Sequence, residues 1–143
     1  MTHPSPPPDI RPARSVPELL AASPLFDAPV HPSHALDFLN REGHHLLLAY
    51  ADGEPVGFIS GMETTHPDKG PEMLLYELGV APSHRRLGIG RALIEALAEV
   101  ARERGCRGMW VGVEPGNRAA LAAYRSAGAV GEGRFAMLGW EFG

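Results

Sequence analysis

The sequence predicts a single α/β domain with a mixed, mostly antiparallel central sheet flanked by about four helices. Three observations support this fold class. The chain has 143 residues, of which 44% are hydrophobic, and this suits one domain with its own core. The first half carries a hairpin signal. The second half alternates strand, helix, strand, helix and strand, which indicates parallel as well as antiparallel pairing.

The first half begins with a proline-rich segment. Residues 1–8 are half proline, so we expect them to be flexible and to precede a domain that spans 9–143. Apolar spacing and breaker residues then predict, in chain order, an edge strand at 9–13, a short helix within 17–27 that breaks near Ser23, a helix at 32–42, a strand at 45–50 and a return strand at 55–62.

A tight turn connects the last two of these strands. Asp52-Gly53 is a pair that hairpin turns favour, because both central residues accept a positive φ. The polar segment 64–71 is expected to interrupt regular structure.

The second half contains the clearest helix, at 89–104. Ile89, Leu93 and Leu97 lie on one stripe of it, charged residues occupy the other side, and Gly105 ends it. The remaining predicted elements are a buried strand at 73–81, a buried strand at 108–113, a helix at 117–127 and one or two last strands at 130–142.

Composition excludes several classes of function. The net charge of −4 argues against a nucleic-acid partner, which would require a basic face. No apolar run is long enough for a membrane span or typical of a signal peptide, so we expect a cytoplasmic protein without a membrane partner. The histidines lack metal-ligand spacing, and no metal is expected. Cys106 is the single cysteine, which precludes an internal disulfide, and no evident base accompanies it.

The loop at 82–91 has the features of an anion site. It follows a buried strand, carries Arg85 and Arg86, and opens into the long helix through Gly88 and Gly90. The first amides of a helix have no internal partners and lie at its positive end, and glycines let a ligand oxygen approach them closely. These features predict a phosphate or diphosphate site.

Two common phosphate motifs do not fit this loop. A nucleoside-triphosphate P-loop requires Lys-Ser/Thr after its last glycine, and none follows Gly90. The dinucleotide fingerprint requires a third glycine or alanine where Leu93 stands.

The stretch Arg85-Arg86-Leu87-Gly88-Ile89-Gly90, preceded by Leu78-Gly79-Val80-Ala81-Pro82, resembles the R/Q-x-x-G-x-G/A motif of the GNAT superfamily of N-acetyltransferases. Residues 114–130 resemble the second conserved region of that family, and the resemblance covers 9–142. Within the superfamily, the segment around the motif is loosely similar to aminoglycoside 3-N-acetyltransferases.

The resemblance implies a sheet splayed in its middle and acetyl-CoA as cosubstrate. It implies that the motif loop holds the diphosphate of the coenzyme, and that the end of the preceding strand pairs with its pantetheine arm and polarises the acetyl carbonyl. The cofactor-binding residues so implied are Leu78, Gly79, Val80, Arg85, Arg86, Leu87, Gly88, Ile89, Gly90, Arg91, Asn117 and Tyr124.

Two further residues have roles in the family and ordinary structural explanations as well. Asn117 and Tyr124 are seven positions apart, on nearly one face of a helix. The resemblance makes Asn117 a pantetheine ligand and Tyr124 the general acid that protonates the leaving thiolate. From the residues alone, a helix cap and a core tyrosine are the favoured explanations, and the resemblance reverses this preference.

Glu77 is the candidate base. A carboxylate within an apolar strand is unfavourable unless it is paired or lies at a cleft. Desolvation would raise its pKa and suit it to accept a proton from an ammonium group, directly or through water. Pairing with an arginine or a neighbouring strand explains it equally well. The aminoglycoside relatives carry a shorter aspartate at this position.

The resemblance, together with these residues, implies an N-acetyltransferase that moves acetyl directly to a primary amine of a small molecule. A protein or peptide N-acetyltransferase and a non-catalytic acyl-CoA sensor remain open. Glu63 and Asp68 hint at a cationic acceptor. Neither the acceptor nor the oligomeric state is fixed by the sequence, and a homodimer is one option.

Overall fold

The structure is a computed structural model that describes residues 7–131 and 133–143. Within these ranges it contains one sheet with strand order β1-β2-β3-β4-β5 and four α-helices. The strands are β1 (Asp9–Pro12), β2 (His44–Ala51), β3 (Glu54–His66), β4 (Gly70–Val80) and β5 (Met109–Trp110). The helices are α1 (Val16–Ala21), α2 (Pro32–Asn40), α3 (Ile89–Glu103) and α4 (Arg118–Ser126). Short 3-10 helices lie at Ser23–Leu25 and Pro82–His84.

The sheet confirms the predicted mixed α/β architecture. The first four strands pair antiparallel in sequence order, and β5 pairs parallel with β4 after the crossover through α3. Alternating side chains divide the core into two layers. Leu47 and Ile59 pack on the side of α3 and α4, whereas Leu48 and Phe58 pack on the side of α1 and α2.

Helix α3 lies close against β3 because two glycines there leave room for it. A Cβ on Gly57 would lie 3.1 Å from side-chain atoms of both Ile89 and Leu93, and a Cβ on Gly61 would lie 2.9 Å from Leu97. Leu93 and Leu97 are fully buried as a result. Burial of each such side chain contributes roughly 1.5–3 kcal/mol to stability.

Both hairpins have tight turns, but only one was predicted. Asp52 and Gly53 have φ values of 51° and 79°, which confirms the turn expected between β2 and β3. The expectation that 64–71 breaks regular structure was wrong. Strand β3 runs on to His66 and pairs there with Gly70 at the start of β4, so the breakers Pro67, Asp68 and Lys69 only form the turn of a long hairpin.

The predicted strands after α4 are also wrong. Among the described residues, none from 127 to 143 forms a strand. Strand β5 is shorter than the predicted 108–113, because it meets β4 only at Met109 and Trp110. Of the segment 1–8, only Pro7 and Pro8 are described, and the predicted flexibility of the rest falls outside the described residues.

No described helix has both the length and the apolar character needed to cross a membrane.

Candidate functional site

A β-bulge in β4 shapes the centre of the site. Glu77 pairs with Ser60, but the next pair is Leu75 with Gly61, so Tyr76 is the extra residue. The bulge places Leu75 and Leu78 on the same side, against the α3 layer, and turns Glu77 to the opposite face. Without the bulge, strand alternation would place Glu77 beside Met73 and Leu75 in the apolar layer.

The sheet is open beside the second half of β4. Strand β5 pairs with β4 only through Met73 and Leu74, whereas β3 pairs with β4 as far as Val80. In the described part of the chain, therefore, no strand covers the outer edge of β4 from Leu75 to Val80. The predicted splay is present, and its edge can hydrogen-bond an extended ligand as an added strand would.

The loop before α3, at residues 86–91 and here called the amide hollow, combines two residues of left-handed backbone with the start of a helix. Arg86 and Gly88 have φ values of 63° and 82°, and such left-handed residues beside ordinary ones turn successive N–H groups toward one hollow. A side-chain cap accepts a hydrogen bond from one of the first amides in each of α1, α2 and α4, but Gly88 provides no such cap for α3. The first amides of α3 therefore lack a described side-chain acceptor.

The loop and the open edge of β4 adjoin each other at Gly90. A Cβ on Gly90 would lie 3.9 Å from side-chain carbons of both Leu78 and Val80. The Arg85 side chain donates a hydrogen bond from Nε to the Val80 carbonyl at 3.2 Å, which holds the loop against the end of the strand. Leu87 and Gly88 are exposed and Ile89 is buried, so the loop lies at the surface while the first turn of the helix is fixed in the core.

A cavity of about 410 Å³ lies on the other face of β4. Ser60 and Glu77 form its floor, and the segment from Phe26 to Phe38 contributes most of its wall. The hydroxyl of Ser60 is buried and has no hydrogen-bond partner among the described residues. The cavity therefore combines an apolar wall with a carboxylate and an unsatisfied hydroxyl, which suits a ligand with polar groups.

Burial of Glu77 raises its pKa, and the nearby negative charge of Asp27 raises it further. Asp27 also lines the cavity. A carboxylate whose pKa is raised toward neutrality is a better proton acceptor from an ammonium group. Two carboxylates on one cavity also favour a cationic occupant.

Helix α4 carries the other two predicted residues. The Asn117 side chain caps this helix by accepting a hydrogen bond from the Ala120 amide at 3.1 Å, as the residues alone predicted, and its amide nitrogen has no described partner. Tyr124 is buried against the α3 layer. Burial raises the pKa of the Tyr124 hydroxyl, so the hydroxyl stays protonated and able to donate at neutral pH.

Asp27 and Ser60 were missed by sequence reasoning. Ser60 interrupts the apolar run of β3, and this was a usable signal of a cleft. Asp27 lies in an irregular segment, where no periodicity reports the direction of a side chain. Conversely, Glu63 does not line the cavity that Asp27 and Glu77 share. It binds His45 Nε2 at 2.7 Å and Arg104 Nε at 2.9 Å, so it does not supply the predicted attraction for a cation.

Cys106 is poorly suited to nucleophilic chemistry. Burial raises the pKa of its thiol, and Glu63 raises it further, whereas a reactive cysteine needs a lowered pKa. Within residues 7–131 and 133–143, no cluster of three or more His, Cys, Asp or Glu side chains is placed to hold a metal ion.

Comparison with known proteins identifies the family. The model of the acetyltransferase (GNAT) family matches residues 13–129, most of the chain and both halves of the site. The chain belongs to the GNAT acetyltransferase family. Within this GNAT domain, the predicted motif at 85–90 coincides with the amide hollow before α3.

Curated relatives are similar over parts of the chain. A streptothricin acetyltransferase of Streptomyces lavendulae is 37% identical over 78 residues, which are 54% of this chain and 40% of that protein. A ribosomal protein bS18-alanine N-acetyltransferase of Escherichia coli K12 is 40% identical over 57 residues, 40% of this chain and 38% of that protein. The aligned regions thus span less than half the length of these relatives.

Solved structures share the fold over nearly the whole chain. An aminoglycoside acetyltransferase from an uncultured soil metagenomic sample, in complex with sisomicin, has a TM-score of 0.86 and 20% identity, and the match covers 95% of this chain and 97% of that one. An aminoglycoside 6′-N-acetyltransferase in complex with a coenzyme A bisubstrate analogue has a TM-score of 0.80 and 22% identity over 94% and 98% of the two chains. These likenesses confirm the predicted GNAT-like fold.

Proposed function

We propose that this GNAT domain is an acetyl-CoA-dependent N-acetyltransferase that acts by direct transfer on a primary amine of a small, cationic molecule. One observation carries the proposal. The open edge of β4 connects two unlike sites, since it adjoins the amide hollow at Gly90 and carries Glu77 into the cavity on the other face. A cosubstrate with a diphosphate and an extended arm would thus lead to an amine-binding cavity.

The residues present fit coenzyme A. The amides from Arg86 to Arg91 would hold its diphosphate, since the hollow presents uncapped donors at a helix N-terminus. The guanidinium groups of Arg85 and Arg86 add positive charge, although Arg85 already donates to Val80. The edge formed by Leu78, Gly79 and Val80 would pair with the pantetheine arm, as would the free amide of Asn117.

Acetyl-CoA, when bound, supplies an acetyl group activated as a thioester. Glu77 would accept the proton of the incoming ammonium group, directly or through water, so that the amine attacks as a free base. A backbone amide at the end of β4 would stabilise the developing oxyanion. As the carbon–sulfur bond breaks, Tyr124 would donate its hydroxyl proton to sulfur, and the proton that the attacking nitrogen loses on becoming an amide would return through water to the Tyr124 oxygen. The raised thiol pKa of Cys106 is consistent with direct transfer rather than an enzyme-bound acetyl group.

Two properties of the cavity support a small cationic acceptor. Asp27 and Glu77 both line it, and their charges favour a protonated amine before it is neutralised for attack. Streptothricin acetyltransferase is among the relatives, and its name indicates a small-molecule acceptor.

A location in the cytoplasm remains a sequence prediction, as does the closer similarity to aminoglycoside 3-N-acetyltransferases.

The second candidate is acetylation of a protein or peptide, which the relative that acetylates the alanine of ribosomal protein bS18 favours. The decisive test is release of the coenzyme A thiol from acetyl-CoA over a panel of amines. Aminoglycosides, polyamines and diamino acids form one arm, and peptides with free N-termini or lysines form the other. Turnover confined to the peptide arm would replace our proposal with this alternative.

Tyr124→Phe distinguishes an enzyme from a coenzyme sensor. We expect the variant to retain binding of acetyl-CoA, since Tyr124 is one of many residues that would contact it, but to lose about 10²-fold or more in kcat, since general-acid catalysis contributes that much. Isothermal titration calorimetry and the thiol-release assay measure the two quantities separately. Binding without turnover of any amine by the wild-type chain would indicate a sensor.

A further inference from the structure

The cavity that Ser60 and Glu77 line, here called the Glu77 cavity, has an apolar wall between two polar ends. Ser60 is buried on the floor beside Glu77. Asp27, His31 and His34 are exposed and lie at the mouth. The wall between them includes Leu19, Phe26, Val30, Phe38 and Leu46. No described lysine or arginine lines this cavity, which therefore suits a ligand with a cationic group on an apolar body.

The apolar wall is held in place by contacts of the segment before α2. The ring of Phe26 stacks on the ring of Phe58, with the two centroids 4.0 Å apart. The Val30 amide donates a hydrogen bond to the Ser23 hydroxyl at 2.8 Å, which closes this segment into a compact loop. The wall is therefore formed before a ligand arrives, and the chemistry of its side chains selects the ligand.

An amine with hydroxyl groups on every side does not match this wall. Leu19 and Leu46 are buried apolar side chains. Hydroxyl groups placed against them would lose their hydrogen bonds to water without gaining others, and each such group weakens binding. Aryl and alkyl groups lose no hydrogen bonds there and are stabilised by leaving water. The wall thus favours an arylalkylamine or an alkylamine over a sugar-derived amine.

Ser60 offers a hydrogen bond that the described chain does not use. This residue is 2% exposed, and its hydroxyl has no partner among the described residues. Ser60 and Glu77 are partners across the β3–β4 pair, and the Cβ atoms of such partners lie about 4.5–5.5 Å apart. A ligand N–H would satisfy the buried hydroxyl. One ammonium group has three N–H donors, enough for the Glu77 carboxylate and the Ser60 hydroxyl together.

We propose that the acceptor is a primary amine carried on an aryl or alkyl group, and that Ser60 binds its ammonium group beside Glu77. This inference rests on the proposed acetyl transfer and narrows its substrate class. The aryl or alkyl group lies against the apolar wall. The charge of Asp27 at the mouth attracts the cation as it enters. Ser60 thus contributes to binding of the acceptor, whereas Glu77 takes its proton.

The first test compares two primary amines of similar size. Phenylethylamine presents an apolar ring, whereas glucosamine presents hydroxyl groups. With coenzyme A present, calorimetry should give a Kd for phenylethylamine that is lower by about tenfold or more. Thiol release from acetyl-CoA should give a kcat/KM that is higher by a similar factor.

The two measurements separate the inference from the proposed function. If phenylethylamine bound no more tightly than glucosamine, the inference would be wrong, whatever the thiol release. If phenylethylamine bound more tightly but no amine released thiol, the proposed acetyl transfer would be wrong, and the chemistry assigned to the cavity would stand.

The second test separates binding from stability at Ser60. Ser60→Ala removes the unpaired hydroxyl, so the melting temperature of the free protein should rise by a few degrees. The Kd for phenylethylamine should increase about tenfold, because a hydrogen bond to a charged group is lost. Thr65→Ala, at the exposed end of the same strand, is the control and should keep the wild-type Kd. A wild-type Kd in Ser60→Ala would show that Ser60 does not bind the amine.

The third test addresses the apolar wall with two ligands. Phe38 of α2 lines the cavity, whereas Leu36 on the same helix is 53% exposed and lies outside the lining. In NMR titrations, Phe38→Ala should raise the Kd for phenylethylamine about tenfold and leave the Kd for methylamine nearly unchanged. Leu36→Ala should change neither. Equal losses for the two amines in Phe38→Ala would contradict the placement of the aryl group against this wall.

Discussion

At the scale of single residues, the site depends on the environment of Glu77. The bulge at Tyr76 directs this side chain into a cavity where burial and Asp27 raise its pKa. In the proposed mechanism Glu77 must be deprotonated to act as the base, so activity should rise with pH through the pKa of Glu77. We expect Glu77→Gln to lower kcat/KM about 10²–10⁴-fold at neutral pH and to remove this acidic limb from the pH–rate profile.

Asp27 provides a sharper test of the same charge arrangement. Its negative charge raises the pKa of Glu77, so Asp27→Asn should lower that pKa and move the acidic limb of kcat/KM to lower pH. Asp68→Asn is the control, because Asp68 lies in the turn of the long hairpin and should leave the limb in place. If the acidic limb of kcat/KM in Asp27→Asn stayed at the wild-type pH, the proposed coupling between the two carboxylates would be wrong.

At the scale of elements, helix α3 links the core to the amide hollow. Leu97 is fully buried and packs against Gly61 of β3. Leu97→Ala should lower the free energy of unfolding by about 2–5 kcal/mol, because it leaves a cavity that the sheet cannot close. Urea denaturation measures this, with the exposed Glu103→Ala as control, which should change the free energy by less than about 0.5 kcal/mol.

The start of α3 can be changed without disturbing its core. Gly88 has a φ of 82° and open space where a Cβ would lie. Gly88→Ala should therefore cost about 1–2 kcal/mol of backbone strain and place a methyl group at the mouth of the amide hollow. We expect a larger Kd for coenzyme A by calorimetry. Gly116→Ala, also in open space but without a positive φ, should bind as the wild type does.

Individual elements show what the sequence could and could not predict. Helix α3 was predicted to within one residue, because its apolar stripe and Gly105 are local signals. The long β3–β4 hairpin was missed, since Pro67, Asp68 and Lys69 break a strand or form its turn with equal ease. The direction of Glu77 depends on a bulge that no residue type marks. The strands at 130–142 were predicted from local sequence alone, but a strand also needs a neighbouring strand to pair with, and none pairs with the described residues of this segment.

At the scale of the whole molecule, an ionic cluster ties distant parts of the chain together. Glu63 on β3 binds His45 of β2 and Arg104 beyond the end of α3. Burial is the largest single influence and would raise the pKa of Glu63, but the hydrogen bonds and charges of His45 and Arg104 together outweigh it and lower the pKa below its ordinary value of 4.5. The stabilisation from this carboxylate is therefore complete above its unfolded-state pKa and is lost as the pH falls through the folded-state value.

Glu63→Gln should accordingly lower the melting temperature at pH 7 by a few degrees. The difference from the wild type should shrink as the pH falls below about 4.5 and vanish once the wild-type carboxylate is protonated. Calorimetry across this range measures the effect, and Glu103→Gln, an exposed carboxylate at the end of α3, is the matched control. A difference that stays constant with pH would mean that Glu63 stabilises by packing rather than by charge.

The bare beginning of α3 has a consequence for the molecule in solution. Helices α1, α2 and α4 each have a side-chain cap at their first turn, whereas α3 has none. The first amides of α3 can therefore hydrogen-bond a bound anion. A bound diphosphate would act as a reversible helix cap, and the melting temperature of the protein would rise with the concentration of that ligand. At a concentration one hundred times its Kd, the ligand would add about 2.7 kcal/mol to the folded state.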